Sequence, residues 1–123
     1  MAARVANIAL DCGDVLRVAT FWATVLGRPI DVGASAEFAS IGGRDPDRAE
    51  AAWYFNRVPE RKRSKNRLHV DLVDADPTAV EQLVRAGAIV VREHRLQAGG
   101  HSWTVLHDPE GNEFCIAAQP FTG

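Results

Sequence analysis

The sequence predicts an α+β fold of two βαβββ modules, which form a curled mixed sheet around a cup with the helices on the outer face. The first observation behind this prediction is an internal repeat: sliding the chain along itself places Leu10 on Leu72 and Asn7 on His69. The second is that each copy passes from a strand-like pattern into a helix-like one and then into further strand-like runs. Because the helices lie on one side only, the other face of each sheet is left to line a cup.

The first copy opens with a strand and a helix. Ile8 and Leu10 alternate with small or polar neighbours, so this strand buries one face. The helix over residues 14–27 begins at Asp14, whose carboxylate can cap free backbone N–H groups, and ends at Gly27. Its apolar residues recur every three to four positions and predict a stripe that packs on the strand: Leu16, Val18, Phe21, Trp22, Val25 and Leu26.

The second copy repeats this pattern. Its first strand alternates an apolar set, Leu68, Val70 and Leu72, with a second set, Arg67, His69, Asp71 and Val73. The helix over residues 76–87 begins at Asp76, ends at Gly87 and has an apolar stripe of Val80, Leu83 and Val84. In this alignment Asn7 and His69 share the face that points away from the helices.

The remaining strands complete each module. Short apolar runs predict strands at residues 29–32, 37–41 and 51–58 in the first copy and at residues 89–93, 103–107 and 113–117 in the second. Glycine-rich loops and an Asp-Pro turn in each copy separate them. We therefore predict one domain over residues 1–123, with module one at about residues 4–58 and module two at about residues 67–118.

Composition limits the classes of function. The chain has 123 residues, a formal net charge of -2, 46% hydrophobic and 24% charged residues, which is typical of one compact globular domain. No basic excess favours nucleic acid, and no apolar segment or secretory signal indicates a membrane or exported protein, so a cytoplasmic location is predicted. The two cysteines, Cys12 and Cys115, are predicted to be free thiols.

Three segments together resemble the vicinal oxygen chelate superfamily, and in particular its small glyoxalase-like members. They are residues 14–27, with FW and LG near the helix end, residues 66–72, NRLHVDL, and residues 108–114, DPEGNEF. Their order, spacing and duplication carry the resemblance, which covers nearly the whole chain. It implies a homodimer whose modules pair either within one chain or across the dimer, and a cup that binds a small organic molecule.

The resemblance also implies where a metal ion would bind. The metal enzymes of this superfamily use four side chains, and the matching positions here are Asn7, His69, Cys115 and either Asn56 or Ala52. Only His69 is a usual ligand, because asparagine offers a neutral oxygen and the Cys115 thiol would have to ionise. We therefore expect no metal or other cofactor; a metal, if present, would bind His69 with Cys115.

The expected function is small-molecule binding, with proton-transfer chemistry of the lyase or isomerase kind centred on His69. Asp71 lies on the same strand face and would orient the imidazole, which can act as a general base near neutral pH. The expected ligand contacts are Asn7, Tyr54, Asn56, His69, Trp103 and Cys115. The alternatives are a metal-dependent glyoxalase-type lyase or dioxygenase, and an interaction module whose cup is filled by side chains.

Several of these residues also have plainer interpretations. His69 suits a structural histidine that is bonded to Asp71, and Cys115 suits a small apolar filler. The charged segment at residues 60–67 is interpreted as a solvated linker between the copies or as a rim that attracts anions. His101 follows two glycines and is a candidate for the cup mouth.

Overall fold

The computed structural model describes residues 1–45, 50–74, 76–95 and 102–117. The chain divides into two compact units, Met1–Arg61 and Lys62–Gly123. The described residues form two helices and seven strands in two mixed sheets, which confirms the α+β class. None of the described helices is long and apolar enough to cross a membrane.

The first unit contains a three-stranded sheet and one helix. Its elements are β1 (Asn7–Cys12), α1 (Val15–Leu26), β2 (Phe38–Ile41) and β3 (Ala52–Arg57). The strand order is β1-β3-β2, with β1 parallel and β2 antiparallel to β3. A helical crossover between the parallel strands β1 and β3 places α1 against one face of the sheet.

Both ends of α1 are where the sequence predicts them. The Asp14 carboxylate accepts a hydrogen bond from the backbone N–H of Arg17, and Gly27 adopts the left-handed conformation with φ of 63°. The apolar stripe is slightly rotated from the predicted one, because Val15 and Ala19 are buried whereas Leu16 is 45% exposed.

The core of this unit lies between α1 and the sheet. Trp22 on the helix stacks on Trp53 of β3 with ring centroids 4.7 Å apart. Phe55, Ala39 and Ile41 are buried on the same side of the sheet. Burial of a large aromatic side chain contributes about 1.5–3 kcal/mol, so this contact anchors the helix to β3.

The strand predicted at residues 29–32 is absent from the structure. Ile30 forms only an isolated bridge with Ile41. Pro29 has no N–H to donate to a ladder. The Asp31 carboxylate instead holds the segment, accepting hydrogen bonds from the Ser40 hydroxyl at 2.6 Å and the Gly43 N–H at 2.8 Å. The first module is therefore βαββ with one bridge rather than βαβββ within residues 1–45 and 50–61.

The second unit contains a four-stranded sheet and a shorter helix. Its elements are β4 (Asp71–Val73), α2 (Ala79–Ala86), β5 (Ile89–Arg95), β6 (Ser102–His107) and β7 (Glu113–Ala117). The strand order is β4-β7-β6-β5, in which only β4 and β7 are parallel. All four predicted strands are present.

Two boundaries in this unit differ from the prediction. The first strand begins at Asp71 rather than near Arg67, and Leu68, predicted to be buried, is 73% exposed. The helix begins at Ala79 rather than just after Asp76, because the Asp76 carboxylate caps the preceding turn by accepting hydrogen bonds from the N–H and hydroxyl of Thr78.

A buried aspartate closes the hairpin between β6 and β7. Asp108 is 1% exposed and accepts hydrogen bonds from the N–H of Glu110 at 2.9 Å, the N–H of Asn112 at 3.0 Å and the Asn112 side-chain amide at 2.9 Å. Gly111, with φ of 89°, allows the chain to reverse. This turn fixes the register in which Cys115 lies opposite Val105.

Candidate functional site

The second sheet has one buried face and one open face. Leu106, Phe114 and Ile116 alternate onto the buried face. The other face is called the open face, and two cross-strand rows define it: Asp71, Cys115, Val105 and Arg92, then Val73, Ala117, Trp103 and His94. Chemically active side chains from β4, β5 and β7 therefore share one face.

Three side chains at one edge of the open face form a compact group, called the His69 cluster. The side-chain donor atoms of His69, Asp71 and Cys115 all lie within 4.8 Å of one another. His69 Nε2 is 3.3 Å from Asp71 Oδ1, and Asp71 lies opposite Cys115 because β4 and β7 are paired in that register. His69 itself precedes β4 and reaches the cluster from the incoming segment.

The surroundings of the Cys115 thiol favour its protonated form. Burial raises the pKa of this thiol, and the Asp71 carboxylate raises it further, both through its negative charge and by accepting the thiol's hydrogen bond. The positive charges of Lys65 and Arg92 act in the opposite direction. Cys115 is therefore a hydrogen-bond donor to Asp71 rather than a thiolate nucleophile at neutral pH.

Changing Asp71 to asparagine is expected to speed alkylation of Cys115 by iodoacetamide several-fold at a pH of about 7.5, because losing the carboxylate lowers the thiol's pKa. Replacing Lys65 by methionine should slow the reaction, because it removes a charge that favours the thiolate. Peptide-resolved mass spectrometry separates Cys115 from the buried Cys12. Equal rates in wild type and both variants would contradict the described geometry.

Glu113 ties the segment that carries His69 to the sheet. Its carboxylate accepts hydrogen bonds from Lys62 Nζ at 2.8 Å and from the backbone N–H of Asn66 at 2.9 Å. Burial alone raises the pKa of Glu113, but these two donors and its own backbone N–H outweigh burial and lower the pKa from 4.5 to about 2. Both oxygens of the Glu113 carboxylate are therefore engaged in hydrogen bonds.

Replacing Glu113 by glutamine is expected to lower the free energy of unfolding by about 1–2 kcal/mol at neutral pH, because it removes the negative charge that these donors stabilise. The loss is no larger because Lys62 is partly exposed and solvent screens the ion pair. The folded pKa lies below the unfolded one, so this stabilisation is complete above 4.5 and is lost as the pH falls toward about 2. Urea unfolding across that range should show a larger acid loss for wild type than for E113Q. Parallel curves would refute the assignment.

The first unit carries the other predicted ligand contacts. Asn7 pairs with Ala52, and Tyr54 with Ala9, all on the face opposite Trp53. Asn56 shares this face and is partly exposed, whereas Ala52 is fully buried and has no polar side-chain atom. Of the two open alternatives, Asn56 is therefore the one that can offer a hydrogen bond to a ligand.

Two residues of the open face were missed by sequence reasoning. His94 falls just outside the strand predicted at residues 89–93, and Arg92 is not among the expected ligand contacts, but both lie within β5. Arg92 Nε donates a hydrogen bond to His94 Nε2 at 2.7 Å, and the His94 ring stacks on Trp103 with centroids 4.8 Å apart. The two-residue alternation in residues 91–95, VREHR, is the sequence signal that could have placed both side chains on this strand. His107 ends β6, and His101 lies outside the described residues.

The ligand atoms of the His69 cluster can be compared with those that metal ions prefer. It offers one imidazole nitrogen, one carboxylate oxygen and one sulfur, all close enough to share an ion. Zinc accepts this combination, whereas magnesium and manganese prefer oxygen ligands. The cluster therefore fits a zinc-type ion, provided that the Cys115 thiol gives up its proton.

Comparisons with known proteins agree with this fold. A family model described as a glyoxalase-like domain matches residues 7–117. None of the curated proteins matches the sequence.

Solved structures give the same picture at low sequence identity. A glyoxalase/bleomycin resistance protein/dioxygenase family enzyme from Burkholderia phytofirmans is 18% identical, with a TM-score of 0.73 over 94% of this chain and 98% of that one. A glyoxalase-related enzyme from Fulvimarina pelagi is 20% identical, with a TM-score of 0.71 over 97% and 90%. The fosfomycin resistance protein FosX from Listeria monocytogenes is 12% identical, with a TM-score of 0.72 over 97% and 95%.

Such low identities show a shared fold and nothing finer. The family model covers most of the chain, from the start of β1 to the end of β7. The chain therefore belongs to the glyoxalase-like domain family of the vicinal oxygen chelate superfamily.

Proposed function

We propose that this protein binds a small organic molecule over the open face and transfers a proton at His69 without a metal ion, as a lyase or isomerase does. The observation that carries the proposal is the His69 cluster, in which Nε2 of the imidazole lies 3.3 Å from Asp71 Oδ1. A carboxylate on one ring nitrogen fixes the tautomer and stabilises the imidazolium that forms when the other nitrogen takes a proton.

The proposed step is an ordinary enolisation. Nδ1 of His69 removes a proton from a carbon next to a carbonyl, and the electrons of that C–H bond form the carbon–carbon double bond of an enolate. Return of the proton to the other face of the same carbon, or to another carbon of the delocalised anion, makes the sum an isomerisation. If the enolate instead expels a leaving group from the adjacent carbon, that group leaves with the electron pair and takes the proton, and the sum is an elimination. The Cys115 thiol contributes by donating a hydrogen bond that helps to hold the Asp71 carboxylate in place.

The proposal is tested with protein purified without a metal-affinity tag and transferred to deuterated buffer. The probes are small 2-oxo acids and the matching methyl ketones, and deuterium incorporation next to the carbonyl is followed by NMR. Exchange above the buffer rate that persists after chelation supports the proposal. Exchange at the buffer rate for every probe, or activity that disappears together with a stoichiometric metal, would overturn it.

A zinc-dependent lyase is the second candidate, because the same three side chains offer nitrogen, oxygen and sulfur ligands. A bound zinc ion would supply Lewis-acid polarisation of a substrate oxygen. His69, Asp71 and Cys115 would then hold the ion, and no free imidazole would be left for proton transfer. Elemental analysis of the purified protein separates the candidates.

A homodimer belongs to the same proposal, as does the cytoplasmic location predicted from the sequence. The homodimer is supported by the apolar surface of the edge strand β5, where Ile89, Val90 and Val91 are 63%, 43% and 43% exposed. Three consecutive aliphatic side chains on an edge strand favour association in water. Sedimentation equilibrium should give twice the mass of one chain, and a monomer at all concentrations would remove this part of the proposal.

A further inference from the structure

Arg92 lies on the open face, in the same cross-strand row as the His69 cluster. The row runs from Arg92 on β5 through Val105 on β6 and Cys115 on β7 to Asp71 on β4. Neighbouring strands are about 4.8 Å apart, so the Arg92 and Cys115 backbones are separated by about 10 Å. One small molecule can therefore touch the guanidinium and the cluster at once.

The Arg92 side chain is held in place by its neighbours. Its Nε donates to His94 Nε2 at 2.7 Å, and the His94 ring stacks on Trp103 at 4.8 Å with 17° between the planes. The partly buried Trp103 limits how the His94 ring can turn. Because Nε is occupied, the four N–H groups on the two terminal nitrogens form the free end of the guanidinium.

The charge of this guanidinium has no carboxylate beside it. Among the residues that the structure describes, no ion pair joins Arg92 to an aspartate or glutamate. Its hydrogen-bond partner on the open face is His94 Nε2, which accepts from Arg92 Nε. A positioned cation with a free planar fork matches the geometry of a carboxylate, which it can bind through two parallel hydrogen bonds.

We infer that Arg92, positioned by His94 and Trp103, binds a carboxylate group of the ligand, and that the ligand is a small organic acid with an apolar body. The apolar body would lie over Val105, which stands between Arg92 and Cys115 in this row, with Ala117 in the next row beside it. The inference rests on the proposed function only in placing the ligand on the open face. Arg92 and His94 act here as binding and positioning residues rather than as catalytic ones.

The test uses 4-fluorobenzoate as the probe, with binding to the intact chain followed by fluorine NMR. Neutral 4-fluorobenzamide and 4-fluorophenylphosphonate serve as comparison probes of the same shape. The carboxylate should bind more tightly than both, and R92Q should weaken it by about tenfold or more. The matched control is R85Q, which removes one positive charge from the exposed face of α2.

Two further variants separate the fork from simple charge. Arg92→Lys keeps the charge without the planar fork and should bind the carboxylate several-fold more weakly than wild type. His94→Phe keeps a ring on Trp103 but removes the nitrogen that accepts from Arg92, and it should also weaken carboxylate binding. Equal affinity of wild type and R92Q, or a preference for the phosphonate, would overturn the inference. A loss caused by Lys65→Gln and not by R92Q would do the same.

The same titration distinguishes this inference from the proposed function. Carboxylate binding that depends on Arg92 without any deuterium exchange would remove the proposed chemistry and keep the carboxylate site. Deuterium exchange that depends on His69, together with unchanged carboxylate binding in R92Q, would keep the proposed chemistry and remove the carboxylate site.

Discussion

Replacing His69 by alanine is expected to slow deuterium exchange by about 100-fold or more, measured with a 2-oxo acid probe whose exchange the wild-type protein accelerates. The physical reason is that His69 provides the only imidazole described beside both Asp71 and Cys115. Without it, the Asp71 carboxylate would have to act through water. The exchange rate at saturating probe is the measurement, because a contact that serves binding alone changes the probe concentration needed for half saturation instead.

Two variants control this experiment. Glu81→Gln changes an exposed carboxylate on α2, far along the chain from the cluster, and should exchange at the wild-type rate. His69→Gln retains a polar side chain without a base and should be as slow as the alanine variant. A His69→Ala protein that is folded and exchanges at the wild-type rate would remove the imidazole from the mechanism.

Asp108→Ala is expected to lower the free energy of unfolding by about 2–4 kcal/mol, the largest stability change we predict. The substitution removes the acceptor for three hydrogen bonds in the turn between β6 and β7 and leaves the N–H groups of Glu110 and Asn112 without this partner. Urea unfolding followed by circular dichroism gives the measurement.

Asp108→Asn is the matched variant, because its amide oxygen can still accept from both backbone N–H groups. The free energy of unfolding should fall by about 1–2 kcal/mol less in this variant than in the alanine variant. The turn also sets the register of β7, so we expect the alanine variant to disturb the pairing of Cys115 with Asp71 even where it remains folded. Equal stability of both variants and wild type would show that the turn does not depend on Asp108.

Local patterns were sufficient to predict most of the fold. The repeat located both helices, and the two-residue alternation located all four strands of the second unit and three strands of the first. The strand predicted at residues 29–32 was wrong, because pairing there is limited to the Ile30–Ile41 bridge and the hydrogen bond from the Asp31 N–H to the Ser40 carbonyl. The Asp31 carboxylate then binds the Ser40 hydroxyl and the Gly43 N–H, which an apolar pattern does not reveal. Leu68 was misplaced because the backbone enters the sheet only at Asp71.

The candidate site could be predicted only in part. Alternation predicted that His69 and Asp71 lie on one side of their segment, and the family resemblance drew attention to Cys115. The contact between Asp71 and Cys115 depends on the register of β4 against β7, which is a long-range property. The role of Arg92 depends on the irregularity between Val90 and Arg92, since a bulge shifts which side chains of β5 share a face with Trp103.

We propose that a proton, and not a metal ion, lies between His69 and Asp71. Long-range proton–nitrogen NMR of the imidazole, on protein purified without a metal-affinity tag, distinguishes the two. We expect a hydrogen on His69 Nε2, facing Asp71, and ring nitrogen shifts that a chelator leaves unchanged. A nitrogen without a proton, whose shift changes when a chelator is added, would contradict the claim and favour the zinc enzyme.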